Sequence, residues 1–206
     1  MIQFLLAAPN SGSGKTTLAC ALLAALKNRG YAPCAFKCGP DYIDPMFHRA
    51  VLGVESHNLD LFFSSPETAR GLYASGAAGH GAAVCEGAMG FYDGLSGTST
   101  TASAWQVADT LNLPVLLVVR PKGASLTLAA QIKGLQSFRT PSHLAGILLN
   151  DCKPGLYKML APMLEAETGL PVAGFLPPVP EAAIGSRHLG LYTAGEVADL
   201  QQKIAL

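Results

Sequence analysis

Lys15 and Thr16 close a run of small residues, Ala8-Pro9-Asn10-Ser11-Gly12-Ser13-Gly14-Lys15-Thr16-Thr17, whose order of types suits phosphate chemistry. Gly12 and Gly14 let backbone N–H groups wrap an anion at a helix N-terminus, where the unpaired amides and the helix dipole favour negative charge. Lys15 can reach terminal phosphates as a point charge, and the Thr16 hydroxyl can ligate Mg²⁺. Asn10, Ser11, Gly12, Ser13, Gly14, Lys15, Thr16 and Thr17 are therefore candidate nucleotide-binding residues. The loop departs from the usual pattern in one place: Pro9 stands where a glycine is expected, five residues before Gly14.

Two further stretches carry acids. Glu86 ends the apolar run Ala82-Ala83-Val84-Cys85 and opens Gly87-Ala88-Met89-Gly90-Phe91-Tyr92-Asp93-Gly94. An acid at the end of a buried strand is the second part of a phosphate-loop site, holding Mg²⁺ opposite the threonine hydroxyl. Asp93 is a second candidate acid, and its Asp-Gly context equally suits a turn. Earlier, Lys37-Cys38-Gly39-Pro40-Asp41-Tyr42-Ile43-Asp44-Pro45-Met46-Phe47-His48 reads as a loop that Gly39-Pro40 forces to turn. Lys37 can neutralise a phosphate or a substrate carboxylate, and Asp41 can hold Mg²⁺ or orient a donor. Asn150 follows Ala145-Gly146-Ile147-Leu148-Leu149, and its amide can read a nucleobase edge. The residues after it, Asp151-Cys152-Lys153, are not the Asn-Lys-x-Asp of guanine-specific GTPases, so adenine is favoured. The same position suits an asparagine that ends a strand for turn reasons.

The elements that must position these residues alternate between strand and helix. Residues 2–7 read as a buried strand and 15–29 as a helix that Gly30 terminates. Strands are expected at 32–37, 82–85, 114–119, 144–149 and 171–176. Helices are expected from Ser65-Pro66 onward, at 102–111, 124–138 and 155–168, with a closing helix at 195–204. Near-continuous apolar strands such as Val115-Leu116-Leu117-Val118-Val119 belong inside a parallel sheet with right-handed crossovers. Ligands in such sheets sit beyond the strands' C-terminal ends, which nominates residues 8–17, 37–48, 86–94, 120–125, 150–153 and 176–190.

At 206 residues the chain suits one domain, and with half its residues apolar and only 14% charged, much of it must be interior. Lys plus Arg equals Asp plus Glu, so there is no basic field for nucleic acid. The apolar runs are strand-sized, which excludes a membrane span of ordinary length, and residues 1–7 lack a basic leader. Cys20, Cys34, Cys38, Cys85 and Cys152 form no C-x-x-C pair and read as small buried thiols in a reducing cytoplasm. His57, His80 and His143 read as surface or satisfied histidines; His188 falls in the last nominated segment.

Together these stretches, with Asn58-Leu59-Asp60 and Ser186-Arg187-His188-Leu189-Gly190-Leu191, resemble the cobyrinic acid a,c-diamide synthases of cobalamin biosynthesis. The most specific match is Lys37-x-Gly39-Pro40-Asp41-Tyr42, a loop at which the related cobyric acid synthases look different. The wider group includes dethiobiotin synthetase and the ParA/MinD ATPases. The latter carry a second lysine in the phosphate loop where Asn10 stands here, which counts against a partitioning ATPase.

The resemblance implies an α/β, three-layer P-loop NTPase-like fold with a mostly parallel sheet flanked by helices. It implies ATP and Mg²⁺, and amidation of the a and c carboxylates of a tetrapyrrole polycarboxylate through an acyl phosphate. It assigns Lys15, Lys37, Asp41 and Asp93 to catalysis, Asp41, Tyr42, Asp44 and Asp93 to the substrate, and Thr16, Asp41 and Glu86 to the metal. Family enzymes carry a glutaminase domain that supplies ammonia; residues 1–206 end where it would begin, and no cysteine lies in a Gly-x-Cys-x-Gly turn. The expectation is a single synthetase domain that uses free ammonia and not glutamine, with a homodimer as one assembly. Nickel-sirohydrochlorin a,c-diamidation is the nearest alternative chemistry, and a nucleotide switch or metallochaperone the alternative class.

Overall fold

In the computed structural model, residues 1–179 and the two strand pairs 186–187 and 190–191 are described. Seven strands form one sheet: β1 (Ile2–Ala7), β2 (Pro33–Cys38), β3 (Glu55–Leu59), β4 (Ala82–Glu86), β5 (Val115–Val119), β6 (Leu144–Leu149) and β7 (Val172–Phe175). Their order is β3-β2-β4-β1-β5-β6-β7, and every neighbouring pair runs parallel. Six helices connect them: α1 (Lys15–Asn28), α2 (Ile43–Phe47), α3 (Pro66–Ala77), α4 (Ala104–Leu111), α5 (Leu126–Phe138) and α6 (Pro154–Thr168). Beyond them β8 (Ser186–Arg187) and β9 (Gly190–Leu191) pair antiparallel. His188 and the helix expected at 195–204 lie outside the described residues.

The strand alternation of side chains divides the core in two. Leu5, Ala7, Phe36, Cys85, Leu117 and Leu149 face one side, with Ala77, Ala108, Ile132 and Leu164 from α3 to α6. Leu6, Ala8, Ala35, Val84 and Val118 face the other, with Leu18, Leu23 and Phe47 from α1 and α2. The same alternation decides where the charged strand ends point. Glu86 lies two residues past Val84 and Lys37 two past Ala35, so both turn toward the α1 side. Register completes the placement: Glu86 pairs across to Leu6 on β1 and to Lys37 on β2.

Local signals account for the helix ends. Ser65 caps α3 by accepting the Thr68 N–H at 3.2 Å with Pro66 at its first position, and Ser103 caps α4 at 3.3 Å from the Gln106 N–H. Two elements differ from the reading of the sequence. β3, Glu55-Ser56-His57-Asn58-Leu59, carries no apolar run, because as an edge strand it needs none. Residues 43–48, read as loop, form α2 and the start of a π-helical turn, His48–Leu52. Pro45 conceals the helix but falls in its first turn, where its missing N–H costs nothing. The five cysteines are free and buried. Burial pushes the Cys34 thiol up to about 11 and Cys38 up to about 12, which disfavours the thiolate at both.

Leu117 is fully buried at the centre of β5. Leu117→Ala is expected to lower stability by about 3 kcal/mol in a urea titration, since the close-packed centre of the sheet cannot collapse into the gap.

Candidate phosphate and carboxylate site

β1 ends at Ala7, and the chain turns through the small-residue loop into α1. Gly14, at φ 91°, is the residue before the helix. A Cβ there would both occupy a left-handed backbone region and overlap the Asn150 amide nitrogen. That nitrogen donates to the Ser13 carbonyl at 2.9 Å. Ser13 Oγ in turn donates to Asn10, 2.8 Å from its side-chain oxygen and 3.0 Å from its carbonyl. Lys15 lies over the loop, buried, with Nζ 2.5 Å from the Met89 carbonyl and 3.4 Å from that of Asn10. Burial, opposed by Glu86, pulls the Lys15 ammonium down to about 8.

Glu86, 1% exposed, holds the centre. Its Oε1 accepts from Thr16 Oγ1 at 2.6 Å and from Lys37 Nζ at 2.8 Å, while Oε2 is buried without a partner. Lys37 Nζ also meets Asp44 Oδ2 at 2.6 Å and lies 3.9 Å from Asp41 Oδ2. Burial works against the Lys37 charge, but Glu86 and Asp44 overcome it and hold the ammonium far above the ordinary lysine range. His48 lies behind this cluster with Nδ1 3.1 Å from Ser56 Oγ, and burial holds it below the ordinary histidine range.

The structure brings Lys15, Thr16, Lys37, Asp44 and Glu86 into one contiguous group. Lys37 and Asp44 sit differently from what an open loop implied. Lys37 is an internal counter-ion between two carboxylates, not a free cation facing an incoming group. Asp44, 3% exposed, turns inward from α2, so its carboxylate does not reach solvent where a substrate would arrive. Asp41 Oδ1 accepts the N–H groups of Ile43 (2.9 Å) and Asp44 (3.2 Å), fixing the start of α2. Tyr42, 77% exposed, stands beside it. Both line an open recess of about 310 Å³ with Gly39, Pro40 and Ala88. Asp93 is exposed; its Oδ2 accepts the Gly90 N–H at 3.0 Å, closing the turn that its Asp-Gly context suggested. Asn150 appears as a strut of the phosphate loop. Sequence reasoning passed over Arg120, which bonds the Gly12 carbonyl at 3.2 Å and pairs with Asp151. His80 and His143 face Glu55 and Asp109; His57 Nε2 lies 3.2 Å from Glu55 Oε1 without making a hydrogen bond.

A parallel sheet whose first strand runs through Gly-Lys-Thr into a helix, with a buried acid on the adjacent strand, defines a P-loop nucleotide-binding domain. Solved structures share this fold. A ParA family ATPase from Chlorobium tepidum superposes with a TM-score of 0.58 at 16% identity, covering 88% of this chain and 85% of that one. Signal recognition particle 54 kDa protein from Aeropyrum pernix gives 0.57 at 16%, covering 86% and 42%.

Residues 4–190 match the CbiA family, the CobQ/CobB/MinD/ParA nucleotide binding domain, and the chain belongs to it. Among curated relatives, cobyrinate a,c-diamide synthase of Clostridium tetani is 40% identical over 204 residues, 99% of this chain and 46% of the relative. That of Gloeobacter violaceus is 40% identical over 207 residues, again 99% and 46%. Hydrogenobyrinate a,c-diamide synthase of Streptomyces coelicolor is 41% identical over 194 residues, 94% and 40%. The chain thus spans about half the length of the curated relatives it matches. The family resemblance carried by the motifs holds.

Two outcomes follow from the charges. Lys37→Met leaves Glu86 and Asp44 as buried carboxylates without a cation, and is expected to cost about 3–5 kcal/mol in denaturant unfolding. Adding Glu86→Gln should recover part of that loss, which a double-mutant cycle reads directly. Lys15 titrates near 8 in the free protein against 10.5 unfolded, so the fold binds fewer protons between those values and stability rises with pH there. A bound phosphate reverses the shift by favouring the ammonium. Calorimetric ADP titrations in buffers of different ionisation heat should therefore show proton uptake at about pH 8.5 and little at about pH 7. Lys15→Met should abolish the uptake.

Proposed function

We propose that this chain is the ATP-dependent synthetase part of a cobyrinate or hydrogenobyrinate a,c-diamide synthase. The observation that carries the reading is the continuity of the site. The phosphate loop, Glu86, the Lys37–Asp44 pair and the Asp41–Tyr42 recess form one chain of contacts along the C-terminal edge of the sheet. The names of the curated relatives support the same reaction.

Magnesium fits the residues present. Glu86 Oε2 is buried and unpartnered beside the Thr16 hydroxyl, and a cation there would satisfy it. Among the described residues no three His, Cys, Asp or Glu side chains gather as a cage. That suits an ion that takes one or two protein ligands and completes its sphere with phosphate oxygens and water. Thr16 and Glu86 would hold it, with Asp41 on the same side. When bound it supplies charge neutralisation on the phosphate oxygens.

The chain's own residues perform the rest. Backbone amides of residues 11–16 and the Lys15 ammonium bind the ATP phosphates and stabilise charge on the transferring group. Asp41 and Tyr42 orient one edge of a planar tetrapyrrole, so that a peripheral carboxylate faces the γ-phosphate. The carboxylate oxygen bonds to phosphorus as the bond to ADP breaks, leaving an acyl phosphate. Ammonia nitrogen then attacks the acyl carbon, phosphate departs and the amide remains. Asp93, exposed at the rim, takes the proton that nitrogen loses. Lys37 fixes Glu86 and α2 instead of contacting the substrate.

In this reading a glutaminase domain in the remaining half of the full-length protein supplies the ammonia, and the assembled enzyme is a cytoplasmic homodimer. No described helix is long and apolar enough to cross a membrane. With ATP, magnesium and an ammonium salt, cobyrinate or hydrogenobyrinate should stimulate ADP release and gain mass corresponding to two amides; glutamine should not replace ammonium. Stimulation by nickel-sirohydrochlorin alone would move the assignment to that macrocycle. ADP release indifferent to every tetrapyrrole carboxylate would sink the ligase reading.

A further inference from the structure

The loop between β1 and α1 is also held from β5 and β6, on the opposite side of β1 from Glu86. β5 and β6 end in register, with Val119 beside Leu149, and the Asn150 N–H bonds the Val119 carbonyl at 2.8 Å. The residues just beyond, Arg120 and Asn150, reach back to consecutive carbonyls of the phosphate loop. Arg120 Nη1 donates to Gly12 O at 3.2 Å and Asn150 Nδ2 to Ser13 O at 2.9 Å. Arg120 Nη2 is held by Asp151, whose backbone adopts φ 54° as the chain turns. In a trans peptide the C=O and the following N–H point in opposite directions. Fixing the carbonyls of Gly12 and Ser13 toward β5 and β6 therefore fixes the N–H groups of Ser13 and Gly14 away from them, as donors to an anion inside the loop.

We propose that Arg120, steadied by Asp151, is a positioning residue for phosphate binding: it sets the Gly12–Ser13 peptide in the donor orientation before nucleotide arrives. The inference rests on the nucleotide-binding reading of the loop and extends it to a residue outside the loop. The ion pair alone is half exposed and contributes little to stability, so its effect should appear in ligand affinity.

Magnesium-dependent binding of ADP and of inorganic tripolyphosphate to the whole chain tests the proposal by calorimetry. Arg120→Ala should weaken both probes about tenfold with the melting temperature nearly unchanged, since one charged donor to the loop is lost. Arg120→Lys, which keeps a cationic donor, should recover most of the loss, and Asp151→Asn should weaken both probes by a smaller factor. In the amidation assay, Arg120→Ala should raise KM for ATP and spare kcat. Loss for ADP without loss for tripolyphosphate would mean that Arg120 touches the nucleoside, and would overturn the proposal. Unchanged affinity for both probes in Arg120→Ala, or in Asp151→Asn should the alanine variant not fold, would also overturn it. A parent protein that binds neither probe would overturn the nucleotide reading itself.

Discussion

The carboxylate of Glu86 is the constraint on which the rest of the arrangement depends. It sits at the end of a wholly apolar strand, 1% exposed, where an isolated charge would cost several kcal/mol. Thr16 and Lys37 converge on one of its oxygens. That convergence is possible only because β4 lies between β1, which delivers the phosphate loop, and β2, which delivers the lysine. Moving β4 elsewhere in the sheet would strand the acid; slipping its register by one residue would turn it to the α3–α6 face, among apolar side chains.

The charges around this acid do not cancel. Lys15 and Lys37 face Glu86, Asp44 and Asp41, so one negative charge is in excess before any anionic ligand arrives. A triphosphate would deepen the imbalance, and a cation beside the unpartnered Oε2 of Glu86 would relieve it. Lys37 cannot serve that purpose for the phosphates, because its ammonium is enclosed by carboxylates of the protein. Lys15, by contrast, donates only to carbonyl oxygens, and burial lowers its titration point, so an anion in the loop would favour its charged form.

How much of this could be read from the sequence follows from what was local. β1, β4, β5 and β6 were legible because strands covered on both faces must be apolar throughout, and α1, α3 and α4 because their ends are marked by Gly, Ser and Pro. β3 was not, since Ser56 and His57 on an edge strand give no apolar pattern and Ser56 is buried against His48, 8 residues earlier in the chain. The phosphate loop and the acid at the end of β4 were visible as types in order. The pairing of Lys37 with Glu86 was not, because it depends on two strands, far apart in sequence, becoming neighbours. Arg120 illustrates the same limit: its position after β5 was nominated, but nothing near it announces a bond to Gly12.

Asp44 carries this logic from the nucleotide side to the substrate side. Its backbone N–H is held by Asp41 and its carboxylate by Lys37, which in turn holds Glu86. The short helix that begins at the Asp41–Tyr42 recess is thereby tied to the acid beside the phosphate loop. A helix of five residues has too few internal hydrogen bonds to persist alone, so its position is set by those outer contacts. Charge on Glu86 therefore bears on Lys37, and through Asp44 on the helix that borders the recess. On the proposed reading, the two buried ion pairs at Lys37 would link the nucleotide side to the carboxylate-substrate side, which gives the inward-facing Asp44 a physical reason to be there.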